Sequence, residues 1–129
     1  DLRLEVPAVS FLDLELPPTG DRSTDIAARV AAARQIQARR FQNHEKLRVN
    51  ADASGAILDQ IATPDEEGRA LIVKASEKLG LTARGYHRVL RVARTLADLD
   101  ASEDVRRIHI AEAVSYRRVV PGRRAAMVR

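Results

Sequence analysis

Four arginines follow one another at helical spacing between Gly80 and Leu99: Arg84, Arg88, Arg91 and Arg94. A guanidinium is permanently charged and forks onto two oxygens of a carboxylate or phosphate, so this row is chemistry for holding oxyanions. Arg84 has the best position. Gly80 tolerates the left-handed conformation that closes a preceding helix, and Thr82 can cap the next helix through its hydroxyl. Arg84 then falls in the first turn, where the positive end of the helix already favours anions. Arg88 lies one turn on, on the same face, as a second candidate. At about 100° per residue, Tyr86, Val89, Leu90, Ala93, Leu96 and Ala97 share one side of this helix, and the four arginines are expected on the opposite arc. Patterning alone reads as a surface helix with a solvated arginine face.

Other chemistry is scarce. The chain has no cysteine, hence no disulfide, zinc–thiolate site or thiol nucleophile. His44, His87 and His109 are far apart in sequence, and none stands at metal-ligand spacing from another. Each is expected on the surface or in helix packing. Asp65-Glu66-Glu67 reads as an acidic first helical turn rather than a metal site. No Gly-x-Ser-x-Gly turn presents a serine nucleophile, and no Gly-x-x-x-x-Gly-Lys-(Ser/Thr) loop cradles a triphosphate. These residues are therefore expected to carry no catalytic group and no metal of their own.

The elements that must position the arginines are helical by composition. The chain has 129 residues, enough for one domain, with 45% hydrophobic and 31% charged residues. Aromatics are only 3% and Trp is absent, so the core must be Leu, Ile, Val and Ala, which suits close-packed helices and leaves little for stacking bases. A formal charge of +4 is too modest to establish nucleic-acid binding. Its distribution is uneven: no acidic residue follows Glu112, whereas Arg117, Arg118, Arg123, Arg124 and Arg129 do. No apolar run approaches membrane-spanning length and no signal peptide is visible, so a cytoplasmic setting without membrane contact is expected. The chain opens on Asp1 in mid-pattern, as a domain excised from a longer protein would.

Leu2, Leu4 and Val6 alternate with Arg3 and Glu5, a half-buried strand pattern that Pro7 ends. With no partner strand, residues 1–20 are expected to be a loosely ordered extended segment and linker, with Phe11 to Leu16 supplying hydrophobic anchors. A first long helix is predicted over about 24–42, burying Ile26, Val30, Ala33 and Ile36. A polar loop and a short helix over 53–62 follow. Thr63-Pro64-Asp65-Glu66 reads as a capping box with proline at the first helical position, opening a helix to about 79. Gly68 is a mild cost inside it. After the arginine helix, a last helix over about 104–117 is expected to bury Val105, Ile108, Ala111 and Val114. Pro121-Gly122 then stops any helix, leaving 120–129 as a flexible basic tail.

Two runs carry a family resemblance. Thr82-Ala83-Arg84-Gly85-Tyr86-His87-Arg88-Val89-Leu90-Arg91-Val92-Ala93-Arg94 and His109-Ile110-Ala111-Glu112-Ala113-Val114-Ser115-Tyr116-Arg117 resemble the C-terminal helical lid of the ComM family, magnesium-chelatase-like AAA+ ATPases. Arg34, Gln37 and Arg40 match that family's Ala-Arg-x-x-Gln-x-x-Arg segment, although as residues alone each reads as a solvated helix position. Asp1 to Pro7 resembles the tail of the family's last core strand. The resemblance implies a mainly α fold: a small AAA+ lid-type bundle over 21–119, with the extended segment 1–20 left over from a core sheet upstream. It implies that Arg84 is the sensor-2 residue, reaching the terminal phosphate of ATP bound with magnesium by that upstream core. It further implies a homo-hexamer that remodels DNA as a branch-migration helicase in natural transformation. Two alternatives stay open: the lid of a magnesium chelatase subunit in tetrapyrrole synthesis, and a stand-alone basic helical module contacting DNA directly.

Overall fold

A computed structural model describes residues 1–117. The expected tail, 120–129, and the last two residues of the expected lid lie outside them. Among the described residues six helices follow in order: α1 (Phe11–Leu14), α2 (Ser23–Arg40), α3 (Gly55–Ile61), α4 (Glu66–Leu79), α5 (Ala83–Leu99) and α6 (Arg107–Ser115). A single 3-10 turn, Asn50–Asp52, sits between α2 and α3. The mainly α bundle expected from composition is the fold observed. No described helix is long and apolar enough to cross a membrane.

The arginine helix α5 is the central post. It packs against α2, α3, α6 and the 3-10 turn, while α4 leans on α6. Val89, Leu90, Ala93 and Ala97 of α5 are buried with Leu58 of α3, Ile72 of α4 and Ile110 and Ala113 of α6. Alanines on α5 and α6 let the helix backbones approach closely, as an aromatic-poor core requires.

The α4–α5 corner follows the sequence reading. Gly80 takes φ 60°, ψ 46° as the C-cap of α4, and the Leu81 amide reaches back to the Ser76 carbonyl at 3.0 Å. Thr82 Oγ1 then accepts from the Gly85 amide at 3.1 Å, capping α5.

Elsewhere the expected boundaries move. Asp65, not Thr63, caps α4: its Oδ1 accepts from the Gly68 amide at 2.7 Å. Pro64 is outside the helix, in an isolated parallel bridge with Val105, and the Asp65 amide donates to the Val105 carbonyl at 2.9 Å. That bridge also explains α6. It holds Val105 as buried extended chain and delays the helix start, so His109, Ile110 and Ala113 turn inward while Ile108 is 63% exposed.

Gly68 is more than a tolerated cost. A Cβ there would lie 2.8 Å from Asp65 Oδ1, 3.2 Å from Pro64 Cβ and 3.3 Å from Ile110 Cγ1, so its missing side chain sets the α4–α6 spacing.

At the N-terminal end, residues 1–10 carry no regular secondary structure, in line with the loosely ordered segment expected there. Phe11–Leu14 coils into one helical turn instead of continuing the alternation, because Ser10 and Asp13 cap each other. Its apolar side chains are exposed. On α2 the expected stripe is only half used: Ala33 is buried, but Ile26 and Val30 are exposed.

Candidate arginine site at the head of the central helix

The four arginines of α5 have different fates. Arg94 is 3% exposed, which corrects its expected place on a solvated arc. On the helix net it adjoins Leu90 and Ala97, both buried. Its guanidinium donates to the carbonyls of Ser102 at 2.6 Å and Glu103 at 2.7 Å, and pairs with Asp98. Arg91 is half-buried and donates to the Ala53 carbonyl at 2.8 Å. These two tie α5 to its own C-terminal turn and to the loop before α3.

Asp98 is the hub of a buried network. Arg40 of α2 binds it bidentately, at 2.6 and 2.8 Å, and Asn50 Nδ2 donates to it at 2.7 Å. Gln37 Oε1 accepts from the Asn50 amide at 3.1 Å. Burial alone would raise the Asp98 carboxyl, but hydrogen bonds from Arg40 and Asn50 and the charges of Arg40 and Arg94 outweigh it and hold it below the ordinary aspartate value. Burial pulls the Arg94 guanidinium down against the attraction of Asp98. A guanidinium starts so far above neutrality that it keeps its proton.

The solvated reading of Gln37 and Arg40 is thereby corrected: Gln37 is buried and Arg40 half-buried, while Arg34 alone of that trio is exposed. The signal was present as two spacings. Arg94 and Asp98 are an i,i+4 ion pair, and Gln37 and Arg40 lie three apart on one face of α2.

Arg84 contrasts with all of these. It is exposed in the first turn of α5, and among the described residues no hydrogen bond or ion pair engages it. Arg88 is 42% exposed and pairs with Asp1 at 3.1 Å. Arg117, after α6, brings Nη2 to 3.5 Å from where a Gly85 Cβ would stand. The head of α5 thus combines a positive helix end with the exposed guanidinium of Arg84, and Arg88 follows one turn along; groups of this kind can hold an oxyanion.

The histidines do packing and capping work. His44 meets Phe41 edge-on and His87 meets Tyr86 edge-on. His109 is buried: Nδ1 accepts from the Arg106 amide at 3.0 Å, so the proton sits on Nε2, facing Asp100 Oδ2 at 3.0 Å. No group of His, Asp or Glu among the described residues is arranged to hold a metal ion. Behind α6, the Tyr116 hydroxyl donates to Glu112 at 2.8 Å; that bond raises its pKa.

Comparison with known proteins places these features in context. The family described as magnesium chelatase, subunit ChlI C-terminal, matches residues 20–117. Competence protein ComM of Haemophilus influenzae is 34% identical over 123 residues, covering 93% of this chain and 23% of ComM. YifB of Escherichia coli is 36% identical over 121 residues, covering 92% of this chain and 23% of YifB. YifB of Salmonella typhimurium is 31% identical over 128 residues, with coverages of 92% and 23%. The chain therefore spans under a quarter of the length of these relatives.

Proposed function

This chain belongs to the magnesium chelatase ChlI C-terminal family in its ComM-like branch, and on that premise we propose that it is the helical lid of an AAA+ ATPase whose nucleotide-binding core is built by other residues of the polypeptide. Arg84 is the sensor-2 residue of that lid. It contacts the terminal phosphate of ATP bound with magnesium on the core, and Arg88 assists. Loss of that phosphate on hydrolysis removes the contact and lets the bundle rotate, which couples chemistry to motion through differential contacts in two states. The working assembly is a cytoplasmic homo-hexamer that migrates DNA branches during natural transformation.

One observation carries this reading. Arg40, Arg91 and Arg94 are all occupied inside the bundle, whereas Arg84 is exposed at a positive helix end with no described partner. An external anion is the complement that position calls for. Replacing Arg84 by Ala in the full-length protein is expected to impair ATP hydrolysis, or its coupling to DNA remodelling, while leaving the fold intact. Unchanged ATPase and branch-migration rates would remove the assignment. The family's description favours a second reading, a chelatase motor subunit. DNA-stimulated ATPase activity supports the first reading, and ATP-dependent porphyrin metallation supports the second.

A further inference from the structure

Arg117 stands at the head of α5 without a task in the reading above. It comes two residues after α6 ends, and its Nη2 lies 3.5 Å from where a Gly85 Cβ would be. The guanidinium therefore covers the bare backbone of the first turn of α5, beside the residue that follows Arg84. Arg117 is half-buried, and among the described residues no hydrogen bond or ion pair engages its side chain.

The positive charge gathered here is uncompensated. The first turn of α5 has no acidic residue, whereas α4 opens on the Asp65 cap followed by Glu66 and Glu67. The positive end of a helix disfavours a cation, and two guanidiniums at one such end also repel each other. The packing of α5 on α6 nevertheless brings them to the same turn, with Val89, Leu90 and Ala93 sharing one core with Ile110 and Ala113. The arrangement becomes favourable when an anion arrives.

We propose that Arg117 is a second phosphate-binding residue, which closes from the α6 side on the terminal phosphate that Arg84 reaches from α5. This inference rests on the reading of Arg84 as a phosphate contact. Each guanidinium forks onto two oxygens, and the terminal phosphate is the part of ATP with the most free oxygens to offer two such forks. The phosphate then bridges two helices. The Arg117 amide closes the last turn of α6 by donating to the Val114 carbonyl at 2.9 Å, so holding its side chain also steadies that turn.

The test uses the full-length protein with magnesium and two probes, a fluorescent non-hydrolysable ATP analogue and competing ADP. Arg117→Gln is expected to bind the analogue about tenfold more weakly, as loss of one charge-assisted hydrogen bond implies, and ADP less than about twofold more weakly. Arg117→Lys keeps the charge but loses the fork, and should fall between Arg117→Gln and wild type. Combining Arg84→Ala with Arg117→Gln should cost less than the product of the separate losses, because both hold one phosphate. Hydrogen exchange across the last turn of α6 should slow with the analogue and not with ADP. Without nucleotide, the thermal midpoint of Arg117→Gln should equal or exceed that of wild type. If Arg117→Gln binds the analogue as wild type does while Arg84→Ala is weakened, the second contact is wrong and the Arg84 reading stands. If Arg84→Ala binds the analogue as wild type does, both fall. Equal losses for the two nucleotides with a lowered midpoint would make Arg117 a packing residue and overturn the proposal.

Discussion

Arg84 and Arg94 are the same residue type on the same helix, ten positions apart, and they do opposite work. The difference lies in what surrounds them. Arg94 has a carboxylate four residues on and two carbonyls folded back over it, so its burial is compensated. Arg84 has none of these and stays in water. Removing the compensation should be costly: Asp98→Asn leaves Arg40 and Arg94 facing each other without a counter-charge. We expect a loss of roughly 3–5 kcal/mol in urea unfolding, against a change within about 0.5 kcal/mol for Arg84→Ala. A similar cost for the two variants would show that Asp98 is not the hub. The pH dependence has a definite sign. Asp98 is held below its unfolded value, so the folded state binds its proton less tightly than the unfolded chain does. Its stabilisation is complete above an unfolded pKa of roughly 3.9 and is lost as pH falls through the lower folded value. Stability measured from neutral pH downward should therefore fall through the acid range, and Asp98→Asn should flatten that fall.

At the scale of elements, what could be read in advance was local. The stop at Gly80, the cap at Thr82 and the apolar face of α5 depend on residues within one or two turns, and all three stand as expected. What misled was non-local. Thr63-Pro64 has every local mark of a helix start, but the bridge from Pro64 to Val105 claims that stretch and moves the cap to Asp65. The same bridge shifts α6, so that His109 rather than Ile108 faces inward. Gly68 tests this contact between elements. In an isolated helix Gly→Ala is stabilising by about 1 kcal/mol. Here the added methyl meets the Asp65 cap, Pro64 and Ile110 at once. Gly68→Ala should therefore destabilise, by roughly 1–3 kcal/mol. A rise in thermal midpoint would mean that α4 and α6 have room to spare.

For the whole molecule, the question is which part of the chain folds as a unit. Helicity and the absence of a large aromatic core were legible from composition, and the place of Arg84 in the first turn of α5 from spacing. The resemblance of two short runs supplied the family. The spacings Arg94/Asp98 and Gln37/Arg40 are local signals, but their convergence was not legible, because Arg40, Asn50 and Asp98 come from three separate stretches and meet only in the folded bundle. That network and the core share one property: among the described residues every buried one lies between Ala33 and Ala113, and none comes from residues 1–22. The apolar side chains at Leu4, Val6, Phe11, Leu12 and Leu14 are 69–90% exposed and contribute nothing to the bundle's interior. A chain beginning at residue 21 should thus retain the cooperative unfolding of the full 129 residues, with stability changed by less than about 1 kcal/mol, the worth of a screened ion pair. Calorimetry on both chains decides the matter. If the shorter one melts many degrees lower or loses its single transition, the N-terminal segment is part of the folding unit rather than an appendage to it. If it keeps its midpoint, the bundle is a self-sufficient body, which the lid proposed above requires if it is to move as one piece.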